Sequence, residues 1–312
     1  MSRALTFVKV YIARHPVAFA LLAYVIAAFC WGHSGVIARY TMKGYTPYSA
    51  LALRLTLATL GAFLLKRTFA KDVRLTKQQS TPLTLAGLLG GLAYICIYFA
   101  NQSVTSAVAS AVLATESGIA TVVAFALRRK GTTWINFLGG LVGFFGVSAI
   151  YCERASLSQH QAWAVMVLFV GAILFALAAF PMEAAKTVHP CARLAPLLAP
   201  MAVLAWVATI IEALVIGPQV NGLWDMWLTL AIFYLGLICT LLPFIAFYAV
   251  VERWGAARAV TMALLVPPIA FFSDLVAESE PITLGTSGFT GVGMVLLGVA
   301  MSFQRPSREQ VT

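Results

Sequence analysis

Residues 104–127 read VTSAVASAVLATESGIATVVAFAL, an apolar run whose only charge is Glu116. The run is long enough to cross a hydrocarbon core about 30 Å thick. A carboxylate near the middle of a bilayer costs at least roughly 2.5 kcal/mol on insertion scales. Chains that keep one turn it toward a packed bundle interior or a watered cavity. Glu116 is therefore the first pointer to a working site, provided the rest of the chain also reads as membrane.

It does. Of 312 residues, 61% are apolar and 10% charged, with a mean hydropathy of +0.90. Soluble domains carry about 25% charged residues, so a water-soluble fold of this size would lack a polar surface. Ten apolar blocks are expected to span: 17–40, 48–66, 83–101, 104–127, 132–151, 161–186, 192–216, 227–251, 256–277 and 285–304. The net charge of +10 sits between these blocks, which makes it a signal of topology rather than of nucleic-acid binding.

With a cytoplasmic N-terminus, nearly all of the 21 lysines and arginines fall on the inner side. The exceptions are Arg39, Lys43 and Arg154 outside, and Arg54 within a span. The bias alternates correctly at every loop, which supports ten spans with both termini cytoplasmic. Segment 1–16 is short, basic and mixed, so it reads as a cytoplasmic lead rather than a cleaved signal peptide.

The two halves look related. Gly139-x6-Gly146-Val147 in the fifth block matches Gly291-x6-Gly298-Val299 in the tenth, 152 positions on. Ser106-Ala107-Val108-Ala109 pairs with Ala256-Ala257-Arg258-Ala259, and Pro47 with Pro190. A unit of five spans is odd, so its second copy enters the membrane from the opposite side. The expected fold is an all-α membrane protein of ten transmembrane helices in two inverted five-helix repeats. The first repeat covers 17–151, the second 161–304, and 305–312 is a cytoplasmic tail. Gly139-Gly140-x-x-Gly143-x-x-Gly146 suits close helix approach.

Several segments resemble the drug/metabolite transporter superfamily, in particular its EamA-type ten-helix exporters. They are Phe29-Cys30-Trp31-Gly32-His33-Ser34-Gly35, Ala50-Leu51-Ala52-Leu53-Arg54-Leu55-Thr56-Leu57-Ala58, Tyr234-Leu235-Gly236, Trp254-Gly255-Ala256-Ala257-Arg258-Ala259, Pro267 and the second glycine motif. The resemblance implies a secondary transporter. The chain departs from the family where Thr115-Glu116-Ser117 stands in place of a common Thr-Pro, and where Arg128-Arg129-Lys130-Gly131 replaces a Gly-Glu-Arg element.

The intramembrane polar residues are the candidate substrate-binding or coupling groups. Glu116 is about 18 Å deep at about 1.5 Å per residue and reads as a proton or cation coupling site, an amine ligand, or a structural carboxyl. Arg54, about 9 Å deep, either holds a substrate carboxylate through its planar fork or satisfies helix carbonyls. A direct Arg54–Glu116 pair needs the arginine to reach inward. Trp31 and His33 lie at the depth of Arg54 and offer an aromatic and polar wall, or core packing. Tyr94 and Tyr98 share a helix face and, with Asn101 and Gln102, line a cavity or form an interfacial belt. Ser117 and Pro267 correspond in the repeat, which brings Glu116 close to a proline kink at the pseudo-two-fold axis. Pro243 offers a similar kink. Tyr248 and Glu183 read as inner-surface residues sooner than as an inner gate.

Five scattered cysteines imply neither a disulfide framework nor a metal site, and no cofactor is expected. No GxxxxGK[ST], HExxH or GxSxG motif is present, so neither ATP hydrolysis nor an enzyme activity is expected. The expected function is export of a small organic metabolite, such as an amino acid, across an inner membrane by alternating access. The expected partners are that solute and the lipid bilayer, with no nucleic acid, and the expected unit is a monomer. Import or exchange of another solute, or a non-transporting membrane enzyme or scaffold, are the alternatives.

Overall fold

The computed structural model describes residues 16–104, 106–127, 134–151, 159–186, 188–217, 225–278 and 286–302. The lead, the tail, the basic segment 128–131 and Arg154 lie outside them. The described residues form a bundle of helices. These are α1 (Pro16–Thr41), α2 (Pro47–Phe69), α3 (Lys77–Ala100), α4 (Ser106–Leu113), α5 (Thr115–Ala126), α6 (Trp134–Tyr151) and α7 (Gln159–Met182). There follow α8 (Pro190–Ile216), α9 (Met226–Gly236), α10 (Leu242–Trp254), α11 (Ala256–Val260), α12 (Val266–Glu278) and α13 (Thr286–Ser302).

Among the described residues, eight helical stretches are long and apolar enough to cross a membrane, against the ten expected from sequence. The other two expected spans correspond to α6 and α13, helices of 18 and 17 residues. At 1.5 Å per residue these reach about 25–27 Å, short of a core about 30 Å thick. Leu214 is 82% exposed and Val276 80%, while alanine dominates the buried positions. Large apolar groups outside and small ones between helices suit a lipid environment, where close backbone approach replaces the hydrophobic drive.

Local chemistry sets the helix ends. Pro47 opens α2 with its missing N–H where none is needed, and Thr46 Oγ1 accepts from the Ser49 amide at 3.3 Å. Pro190 opens α8 in the same way, with His189 Nδ1 accepting from the Cys191 amide at 3.3 Å. Gly255 closes α10 at φ 82°, a conformation that favours glycine, and turns the chain directly into α11.

Three expected spans are interrupted near their middles. The fourth is α4 and α5, separated at Ala114. The eighth is α9 and α10, joined by a π-turn at Leu237–Leu241. The ninth is α11, a 3-10 turn at Thr261–Leu264, and α12. Pro267 and Pro268 fall in the first turn of α12, so the interruption precedes the prolines instead of following from a mid-helix clash.

The packing partners are specific. α3 lies on α7 and α8, while α9–α10 lies on α1 and α2. α4–α5 packs on α7, α12 on α1, α2 on α8 and α6 on α13. The two glycine motifs meet face to face. A methyl group on Gly298 would stand 2.5 Å from the Gly139 carbonyl oxygen, and one on Gly146 would stand 2.7 Å from that of Gly291. Gly139 opposite Gly298 and Gly146 opposite Gly291 make the two helices antiparallel.

Candidate functional site

A cavity of about 140 Å³ lies inside the bundle, lined by α1–α5, α7, α8, α10, α11, the 3-10 turn and α12. Glu116, Arg54, Trp31, Tyr94 and Tyr98 all face it. The interruption at Ala114 puts Glu116 in the first turn of α5, where the helix N-terminus favours negative charge. Among the described residues no hydrogen bond or ion pair ties its carboxylate down.

Arg54 is 2% exposed. Its Nε donates to Thr240 Oγ1 at 2.6 Å, Nη2 to the Cys239 carbonyl at 2.9 Å, and Nη1 to the Tyr98 hydroxyl at 3.4 Å. The guanidinium sits 5.2 Å from the Tyr94 ring centroid, within cation–π range. Arg54 and Glu116 therefore share a cavity without pairing, because the arginine is turned onto the eighth span.

Aromatic rings form the apolar wall. Trp31 meets Phe244 edge-on at 5.7 Å and Phe247 at 5.8 Å, and Tyr94 meets Phe175 edge-on at 5.2 Å. Tyr98 is fully buried, so it does not belong to an interfacial belt. Asn101 and Ser106, at the turn between α3 and α4, also line the cavity. Asn101 Oδ1 and Ser106 Oγ are buried with no partner among the described residues. Buried polar atoms are nearly always satisfied, so these two are candidate contacts for water or a solute.

Three sequence-predicted residues do not reach the cavity. His33 faces away: two residues from Trp31 means about 200° around the helix. Its Nδ1 donates to the Phe29 carbonyl and Nε2 accepts from the Tyr234 hydroxyl, both at 2.6 Å. Ser117 is fully buried and donates to the Ala114 carbonyl at 3.0 Å, so it stabilises the interruption in the fourth span. Pro267 is next to Val266, which does line the cavity.

Thr240, Cys239, Ser106 and the Phe244–Phe247 pair escaped the sequence reading. Apolar residues in an apolar span carry no signal, and Thr240 matters through a partner 186 positions away. Proximity to Pro243 was the one available hint.

Polar contacts hold the end of the bundle where α7 meets α8 and α10 meets α11. Arg193 Nη2 donates to Glu252 Oε1, and the Arg193 guanidinium lies 4.7 Å from the Tyr248 ring centroid. Arg193 and Tyr248 are both 0% exposed, which corrects the inner-surface reading of Tyr248. Glu183 Oε1 accepts from the Ala256 amide at 2.5 Å, and the Tyr24 hydroxyl bonds Thr261 Oγ1 at 3.1 Å. Near the far ends of α1 and α12, Arg39 and Asp274 approach to 3.8 Å.

Residues 18–152 match the EamA-like transporter family. An uncharacterized transporter of Archaeoglobus fulgidus is 24% identical, over 86% of this chain and 93% of its own. The uncharacterized transporter YoaV of Bacillus subtilis is 23% identical, over 93% and 99% respectively. A solved crystal structure superposes with a TM-score of 0.69 at 14% identity, over 91% of this chain and 96% of that one, which establishes a shared fold.

Proposed function

We propose that this chain, an EamA-type protein of the drug/metabolite transporter superfamily, exports a small organic metabolite such as an amino acid across the inner membrane. Transport proceeds by alternating access around the cavity. The observation that carries this reading is the cavity itself, which presents one free carboxylate and one buried guanidinium to the same small volume. Ionisable residues kept inside a membrane bundle often mark solute or ion pathways.

Two inverted five-helix halves supply the moving parts. Exchanging the halves swaps α1 with α7, α2 with α8, α3 with α9–α10, α4–α5 with α11–α12, and α6 with α13. That exchange turns every helix contact named above into another of the same set. It also maps the Gly139–Gly298 contact onto Gly291–Gly146. Likewise Leu197, whose carbonyl abuts Gly87, stands as far after Pro190 as Arg54, whose carbonyl abuts Gly236, stands after Pro47. An axis relating antiparallel α6 and α13 lies across the helices, in the membrane plane, as alternating access by inverted repeats requires. The lysine and arginine bias supports cytoplasmic termini, with the Arg193–Glu252 end facing inward.

In this mechanism Glu116 exchanges a proton or binds the solute's amine, while Arg54 attracts its acidic group. The aromatic wall excludes water and leaves room for a small side chain. Flux of labelled amino acids into proteoliposomes under an imposed pH gradient tests the reading. Gradient-driven movement in the wild type supports it, and no movement of any of the twenty under either gradient contradicts it.

A further inference from the structure

Arg54 uses its five N–H groups unequally. The side edge, Nε with Nη2, grips the eighth span at Thr240 Oγ1 and the Cys239 carbonyl. The end edge, Nη1 with the second proton of Nη2, meets only the Tyr98 hydroxyl, at a long 3.4 Å. Arg54 lines the cavity, and the end edge has the weaker protein tie of the two.

The grip has a local cause in the sequence. In an α-helix the amide of residue 243 would serve the carbonyl of residue 239, but Pro243 has no N–H. Arg54 serves that carbonyl instead. The π-turn, with the Leu242 amide bonded to the Leu237 carbonyl, brings in one extra residue. Thr240 closes the arrangement: its hydroxyl donates to the Leu235 carbonyl at 2.7 Å, which turns its lone pairs toward Arg54 Nε. Three bonds thus fix the guanidinium plane from one side.

We infer that Thr240, with the π-turn and Pro243 behind it, is a positioning residue that holds Arg54 as an end-on fork for a carboxylate on the transported solute. This rests on the transport reading above and narrows it: the solute carries a carboxylate, and its recognition depends on a residue with no solute contact of its own. Two N–H groups on one planar edge match the two oxygens of a carboxylate, whereas an amide offers one acceptor. Unpinned, the arginine loses the defined edge.

The test reads Arg54 directly. Purified protein in lipid is treated with phenylglyoxal, and modification of Arg54 is measured by mass spectrometry with propionate or propionamide present. In the wild type propionate protects Arg54 and propionamide does not. Thr240→Val, which removes the hydroxyl at nearly constant volume, abolishes the protection, and Thr240→Ser retains it. Pro243→Ala restores an amide that competes for the Cys239 carbonyl, so it too weakens protection while keeping the Thr240 hydroxyl. Where an amino acid is transported, Thr240→Val raises its KM about tenfold, the effect of one hydrogen bond to a charged group, without a matching loss of maximal rate.

Equal protection by propionate and propionamide overturns the inference, as does wild-type protection in Thr240→Val. An Arg54 that never reacts also overturns it, because the fork would then not face an accessible cavity. Protection in this pattern without flux of any amino acid leaves the inference standing and sinks the transport reading. Flux without protection does the reverse.

Discussion

Arg54 and Glu116 face one cavity, yet the guanidinium bonds to Thr240 and Cys239 while the carboxylate has no partner among the described residues. A buried ion pair between them would neutralise both charges and leave nothing for a solute to meet. Kept apart, both remain on the cavity wall, where the proposed function has them meet a solute that carries both signs. The fold achieves the separation with two helix interruptions, at Ala114 and at the π-turn.

The orphaned atoms at the α3–α4 turn report on occupancy. Ser106→Ala removes a buried hydroxyl that has no partner among the described residues, so thermal unfolding in detergent stays within about 0.5 kcal/mol of the wild type. If the cavity's solute supplies the missing partner, the same substitution raises the KM of a transported solute. A large stability loss with unchanged KM would mean that Ser106 is a packing residue.

The glycine crossing of α6 and α13 is predicted to be intolerant of a methyl group. Gly298→Ala pushes a Cβ against the Gly139 carbonyl and costs about 1–3 kcal/mol, as overpacking generally does. Gly293→Ala, on the same helix but with nothing within 4 Å of its Cβ, is neutral or slightly stabilising. Thermal melts of the two proteins in one detergent compare them directly. Equal melting temperatures would remove the support that this crossing lends to the two-fold arrangement.

The Arg193–Glu252 pair is predicted to behave as a buried charge that needs its partner. Glu252→Ala strands the fully buried Arg193 and destabilises by at least about 2 kcal/mol. Adding Arg193→Met to that variant recovers much of the loss, since an apolar side chain of similar reach replaces the stranded charge. Additive losses in the two substitutions would show that the pair carries no coupling.

Much of this arrangement was legible before any coordinates. Apolar blocks and the charge alternation between them gave the helical bundle, and the spacing Gly139–Gly146 and Gly291–Gly298 named the four residues that meet at the α6–α13 crossing. Their polar or aromatic character inside apolar spans singled out Glu116, Arg54, Trp31, Tyr94 and Tyr98, and all five line one cavity. Direction around the helix was read less well. His33 shares Trp31's depth but points to Tyr234, and Ser117 shares Glu116's depth but points into packing. The interruptions were the hardest to foresee. LICTL is an unremarkable apolar pentapeptide, and its π-turn accompanies the grip of an arginine from a distant helix.

Of the two roles proposed for Glu116, proton exchange and binding of the solute's amine, proton exchange would couple the cavity to a gradient. Its most direct test is uptake of a transported amino acid into proteoliposomes under an imposed pH gradient, wild type against Glu116→Gln. The substitution keeps shape and hydrogen bonding while removing the exchangeable proton and the negative charge. Loss of gradient-driven accumulation, with downhill exchange of the solute retained, is the predicted result. Accumulation in Glu116→Gln at the wild-type rate would contradict the account.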